Sequence, residues 1–501
     1  MQPLLPRLDG LRIVSQVGRL DATSLAKVDQ LVLLVPESSP EKLWSTIPGG
    51  KKLRALTRKR RADSVPAAVS RANNDRQTLI VTGTAKPESS AFERLTLARE
   101  LVAEATTENA GILGIAVVGM DAEDTAAWLE ALVSAALAAG APMPEFKRKS
   151  SPARIRSIRL LALSTKPSLE RARAEARGNH LARWLTSLPP NKLDADAYTE
   201  VARSLAESEG WEFRRYGIAE LEQLGAGAFL AVAQGNADDS AGIIRLRYRP
   251  EKASTTPAVA LVGKGIIFDT GGTNLKPFQS MLDMHGDMQG SAVALGTLLA
   301  LSDLDVPFTV DCWLAITENR TGPTAYKSQD LVTALNGKTI QTIHTDAEGR
   351  MALADTLTLA SRESPGVMID YATLTGSCID AITTRYAGVF TNRADWHPRL
   401  KRTGRRAGER VWPFPIGDEF LEDLKSPVAD LMQCTVKGTG DHIYAASFLS
   451  EFVDNDTPWI HVDLSAGEHE DGLAHIPTKV TGFGVRLTLA LLLDEKIGEA
   501  A

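Results

Sequence analysis

Eight short apolar runs, separated by helical patterns, constrain the fold of this chain more than any other feature. DQLVLLVPE (29–37), TLIVTGT (78–84), GILGIAVVG (111–119) and SIRLLALS (157–164) come early. AVALVGKG (258–265), FTVDCWLAITEN (308–319), GVMIDYATL (366–374) and WIHVDLSAG (459–467) come later. Continuous apolar character over so few residues predicts strands buried on both faces. Between the runs, AFERLTLARELVAEA (91–105), DTAAWLEALVSAALAAG (124–140), 286–304 and 350–362 space their apolar residues as helices do. Buried strands alternating with amphipathic helices predict α/β layers.

At 501 residues the chain is too long for one ordinary core. SLERARAEARGNHLARWLTSL (168–188), stopped by Pro189-Pro190, reads as a long connecting helix. The expected organisation is a smaller N-terminal α/β domain over 1–165 and a linker helix over 166–190. A larger C-terminal α/β domain with a central mixed sheet follows over 191–501. No apolar run approaches the ~18 residues a membrane span needs. A net charge of −6 argues against whole-surface attraction to nucleic acid or anionic lipid. Three widely spaced cysteines (312, 378, 434) offer no disulfide framework. Together with an N-terminus lacking the pattern of a signal peptide, they lead us to expect a cytoplasmic protein.

The chemistry sits in glycine-punctuated turns after the later strands. VGKGIIFDTGGTNLK (262–276) delivers Lys264, Asp269 and Lys276 where open α/β sheets collect ligands. MLDMHGDMQG (281–290) brings Asp287 to a helix start, and HTDAEGR (344–350) offers Asp346, Glu348 and Arg350. The spacing of 346 and 348 projects both acids to one side if the segment is extended. Singly, each acid has an ordinary explanation: Asp287 as a helix cap, Asp269 as a turn residue, Asp346 and Glu348 as a solvated loop. Taken together, four carboxylates would repel one another unless cations neutralised them. Hard oxygen donors suit divalent Mn, Mg, Co or Zn, and four acids suit two ions that share bridging ligands.

These stretches are similar to the leucine aminopeptidase (cytosol aminopeptidase) family. The likeness rests on HTDAEGRMALADTL, VGKGIIFDTGGTNLKP, the D-M-x-G at 287–290, TEN (317–319) and YATLTGSC (371–378). It continues through GDEFLEDLKSPVADL (417–431), ASFLSEF (446–452) and HVDLSAG, covering roughly 175–495 closely.

The resemblance implies a catalytic metallopeptidase domain over 191–501. In it Asp269 and Glu348 bridge two divalent ions, Lys264 and Asp287 complete one site, and Asp346 completes the other. Manganese or zinc is expected first, cobalt or magnesium as alternatives. It implies release of N-terminal residues from peptides by attack of a metal-bridging hydroxide. Lys276 would stabilise the oxyanion, and Arg350 would hold a bicarbonate as general base. Met284, Thr373 and Leu374 would bind substrate. It also implies a cytoplasmic homohexamer. His344, His285 and the pair Asp441-His442 depart from the family pattern. His442 would either line the substrate pocket or turn away and pair with Asp441.

A reading of another class remains. KKLRALTRKRR (51–61) carries seven basic residues in eleven. It is either a solvated helix face or a surface by which a retained peptidase scaffold binds nucleic acid or partners.

Overall fold

The computed structural model describes residues 4–62, 67–108, 111–149 and 155–498. The chain divides into two compact units. Among the described residues, one holds Arg7–Ala176 and Glu470–Thr481; the other holds residues 4–6, Arg177–His469 and 482–498. The division falls inside helix Glu170–Thr186, the element expected over 168–188. Among the described residues, no helix is long and apolar enough to cross a membrane.

The first unit is built on a six-stranded sheet. Its order is Arg12–Val17, Ser157–Leu163, Ile112–Val117, Gln30–Pro36, Leu79–Ala85, Ala67–Arg71, and only the last pair is antiparallel. Helix Ala91–Ala105 starts at a capping box, in which Ser90 and Glu93 satisfy each other's backbone N–H. Its Leu95, Leu101 and Val102 bury against Val81 and Ile115 of the sheet. The basic stretch forms helix Gly50–Ala62. Leu53 and Thr57 face inward, Arg54 pairs with Glu41 at 2.9 Å, and Lys51, Lys52, Arg58, Lys59 and Arg60 are exposed. Arg61's side chain lies outside the described residues. The basic face is exposed, as both readings of this stretch require.

The second unit carries an eight-stranded mixed sheet. Its order is Val411–Pro413, Ala387–Thr391, Trp459–Asp463, Val367–Ala372, Val259–Asp269, Val310–Asn319, Gly242–Tyr248, Glu212–Gly217. The four strands from Trp459–Asp463 to Val310–Asn319 are parallel, so their carboxyl ends share one edge. All eight apolar runs of the sequence are strands. Helix Gln289–Asp303 buries nearly its whole surface, which matches its all-round apolar sequence.

One polar pair is fully enclosed in this sheet. Asp370 accepts hydrogen bonds from Trp459 Nε1 and from His461 Nδ1, each at 2.6 Å, and all three residues are buried. Burial pushes the His461 pKa down, but the Asp370 carboxylate and its hydrogen bond outweigh that and hold it above the ordinary value. A raised imidazole pKa contributes stability that is fully present below about pH 6.5 and is lost as pH climbs through the raised value. The melting temperature should therefore fall across that alkaline interval. Asp370→Ala should cost about 3–5 kcal/mol by stranding its partners and should flatten the slope. Thermal unfolding across a pH series checks both points, and equal slopes in the two proteins would refute the assignment.

Candidate metal centre

Strand Val259–Asp269 lies in the middle of the parallel segment and carries Lys264 along its length and Asp269 at its end. Register pairs Asp269 with Asn319, the last residue of the neighbouring strand. Asn319 Nδ2 donates to Asp269 Oδ1 at 2.8 Å and to the Thr345 carbonyl at 3.0 Å, which ties strand end to acidic loop. Asp287 sits in the 3-10 turn Met284–Met288, just before helix Gln289–Asp303. Glu348 is the first residue of helix Glu348–Arg362. Asp346 and Glu348 thus do not share an extended segment: the helix begins two residues before the start read from the sequence. The two acids converge nonetheless. Oxygens of Asp269, Asp346 and Glu348 lie within 4.8 Å of one another.

Two ammonium groups sit among the four carboxylates. Lys264 Nζ lies 2.9 Å from Asp287 Oδ2 and 3.0 Å from Glu348 Oε1, and donates to the Thr373 carbonyl at 3.0 Å. Lys276 Nζ lies 2.9 Å from Asp269 Oδ2 and 2.6 Å from Asp346 Oδ1. Thr373 Oγ1 donates to Asp287 Oδ1 at 2.7 Å. Gly349 makes the approach of Lys264 sterically feasible, since a Cβ there would sit 2.7 Å from Nζ. At Gly271, φ is +86° and a Cβ would meet Asp346 Oδ1 at 2.9 Å, so only glycine suits that turn.

The electrostatics follow from burial and crowding. Burial alone would lower the pKa of Lys264, but Asp287, Glu348 and Asp269 raise it; Lys276 is raised against burial by Asp269, Glu348 and Asp346. Asp287 and Glu348 are pushed up by burial and by neighbouring acids, more than the lysines pull them down. Asp346 rises for the same reasons. Four carboxylates thus face only two ammonium groups, a cluster short of positive charge. The donor set, hard carboxylate oxygens beside one buried amine, fits divalent cations.

Arg350 lies two residues beyond Glu348, in the same helical turn, fully buried. Its Nη1 donates to the Gln433 carbonyl at 3.1 Å and its Nη2 to Asp441 Oδ2 at 2.5 Å. Gln433 had no sequence signal, yet it braces the acidic loop. Its Oε1 accepts from the backbone N–H of Ile343 and His344, and its Nε2 donates to the Ala347 carbonyl. His442 pairs with Ser377 rather than with Asp441. The distance from Nδ1 to Oγ is 3.0 Å, and the ring stands edge-on to Phe414 with centroids 4.7 Å apart. Met284 is half-buried on the turn that carries Asp287. Leu374 rests against the core while its N–H donates to Asp463 Oδ1 at 3.2 Å.

Known proteins resemble this chain in sequence and in fold. Residues 180–489 match the cytosol aminopeptidase family, catalytic domain. A "Probable cytosol aminopeptidase" of Roseiflexus castenholzii is 40% identical over 328 residues, 65% of this chain and 66% of that protein. That match spans just under two thirds of the relative's length. A protein of the same name from a Synechococcus species is 36% identical over 428 residues, 84% of this chain and 86% of its own. Among solved structures, a mutant of tomato leucine aminopeptidase superposes with a TM-score of 0.85 at 25% identity, covering 98% of each chain. The bottromycin maturation enzyme BotP in complex with Mn gives 0.81 at 28% identity, covering 93% of this chain and 99% of its own. The chain therefore belongs to the cytosol aminopeptidase family.

Proposed function

We propose that this protein is a metal-dependent aminopeptidase, a hydrolase that releases N-terminal residues from peptides, with its catalytic domain over 191–501. The observation that carries the reading is the cluster of four carboxylates around two lysines at the carboxyl ends of the central strands. Lys264, Asp269, Asp287, Asp346 and Glu348 would hold two divalent ions. Manganese is favoured by the bound metal in BotP, with zinc next. Such ions polarise a carbonyl and lower the pKa of bound water toward neutrality.

The chain's own residues supply the rest. Lys264 must lose its proton to ligate, and a divalent ion beside it would drive that loss. Lys276 is held protonated by its carboxylate neighbours and is placed to stabilise developing negative charge. Thr373, through its carbonyl and hydroxyl, fixes Lys264 and Asp287. Met284 lies on the turn that carries Asp287 and Leu374 follows Thr373, and we assign both to substrate binding. Arg350 is a different matter. Asp441 and Gln433 already engage its guanidinium, so a bicarbonate would have to displace a carboxylate of the chain. We therefore route no step through bicarbonate. A cytoplasmic homohexamer acting on peptides with a free N-terminus completes the proposal, supported by family membership.

The test is to strip the protein of metal and restore Mn, Zn, Co and Mg one at a time, following hydrolysis of X-Leu dipeptides and their N-acetylated forms. Activity should vanish on stripping, return with metal, and never extend to the acetylated peptides. Full turnover in protein shown by elemental analysis to be metal-free, or equal cleavage of acetylated peptides, would sink the proposal.

A further inference from the structure

We propose that Asp441 occupies Arg350 in place of any diffusible anion and acts as the built-in proton-accepting carboxylate of the site. This deepens the aminopeptidase reading and rests on it. The first observation is the ion pair itself: Arg350 Nη2 to Asp441 Oδ2 at 2.5 Å, with the arginine side chain 2% exposed. A carboxylate bonded to a buried guanidinium is a charge-assisted contact that a weakly bound anion would not readily displace. The second is that Asp441 is only half spent. Its Oδ1 is shielded from solvent and has no hydrogen-bond partner among the described residues.

An acid in the first turn of a helix is ordinary in itself, and Asp441 opens helix Asp441–Ser450. It does not cap that helix, however: the N-cap residue is Gly440, which has no side chain to offer, and the His442 N–H in the first turn donates to Ser377 Oγ at 2.8 Å. The carboxylate is turned to Arg350 instead. Its position relative to the metal-ligand candidates is fixed by two links. Arg350 shares the first turn of its helix with Glu348. Gln433 bonds both Arg350 and the 343–347 loop that carries Asp346. His344, exposed on that loop, feels the charges of both Lys276 and Asp441.

The step asked of Asp441 is a proton transfer. Its carboxylate takes one proton from the attacking water, whose oxygen bonds to the peptide carbonyl carbon. The proton then passes to the amine nitrogen as the C–N bond breaks, and the carboxylate returns to its starting form.

The experiment uses the full-length, zinc-loaded protein with two readouts: turnover in CO2-free buffer against added bicarbonate or formate, and broadening of the 13C resonance of labelled bicarbonate. Wild type should turn over equally with and without bicarbonate and should leave the resonance sharp. Asp441→Gly should lose about 100-fold or more in CO2-free buffer, the scale of a general base. It should regain part of that loss with bicarbonate or formate, and should broaden the resonance in a manner abolished by a second Arg350→Ala change. Bicarbonate dependence or broadening in wild type, or full turnover by Asp441→Gly without bicarbonate, overturns the proposal. If Asp441→Gly does not fold, Asp441→Asn keeps the size and removes the charge; it should lose the same turnover, and full turnover there overturns the proposal equally. If wild type cleaves no peptide, the aminopeptidase reading fails, while the resonance still reports whether Asp441 keeps anions off Arg350.

Discussion

Glu348→Ala should abolish peptide hydrolysis and reduce bound metal from two equivalents to one or fewer. Glu348 is buried, with one oxygen 3.0 Å from Lys264 Nζ and the other 3.4 Å from Asn319 Nδ2. Its carboxylate converges with those of Asp269 and Asp346, the position a ligand shared by two ions needs. If it is the shared ligand, its removal strips a donor from both ions; in either case the buried Lys264 ammonium is left with Asp287 as its close partner. Breaking a buried ion pair costs about 3–5 kcal/mol of stability, so Glu348→Gln, which keeps the volume, separates a folding defect from a metal defect. Metal ions supply several kcal/mol of transition-state stabilisation, and each ~1.4 kcal/mol is tenfold in rate. A loss on the order of 1000-fold or more is therefore expected for Glu348→Ala and Asp269→Ala alike. Turnover within tenfold of wild type, with two metal equivalents retained, would end the shared-ligand assignment.

These residues were legible because their signals are local. A glycine-rich turn after a buried strand announces a ligand-collecting edge: Asp269, Asp287 and Asp346 stand on such turns or strand ends, Glu348 opens the helix that follows, and Lys264 lies within the strand that leads to Asp269. Eight of the ten inner strands of the two sheets were legible for a related reason, being apolar on both faces. Two inner strands escaped, Gly242–Tyr248, whose Arg245 and Arg247 interrupt the apolar run, and the five-residue Ala387–Thr391; the rest of what escaped was half-exposed or remote. The four strands at the sheet edges, Arg12–Val17, Ala67–Arg71, Glu212–Gly217 and Val411–Pro413, include exposed positions that blur the strand period. The start of helix Glu348–Arg362 was hidden because Ala347 offers no capping side chain. Gln433 and Asp441 lie 83 and 91 positions from Arg350 in sequence, and nothing in the local pattern of either segment points to the other. Asp441-His442 was visible as a departure, but which partner each residue takes is decided by tertiary packing alone.

Lys276→Ala should lower kcat by about 100- to 1000-fold, the loss seen when one preorganised oxyanion donor is removed, with a much smaller change in KM. The ammonium is suited to this because it cannot readily discharge. Burial disfavours its charge, but Asp269, Glu348 and Asp346 more than compensate and raise its pKa. Its loop is anchored as well, since the Lys276 N–H donates to the Thr270 carbonyl at 2.9 Å. A cation fixed in this way gains most from charge that develops during reaction and little from a neutral ground-state carbonyl, so the loss belongs in kcat. Because Lys276 also bridges Asp269 and Asp346, metal content must be measured alongside the kinetics. Lys276→Arg restores the charge with a different geometry and should recover only part of the rate. If Lys276→Ala instead raised KM and left kcat intact at full metal occupancy, the lysine would be holding the substrate's ground state, and the oxyanion would need another donor.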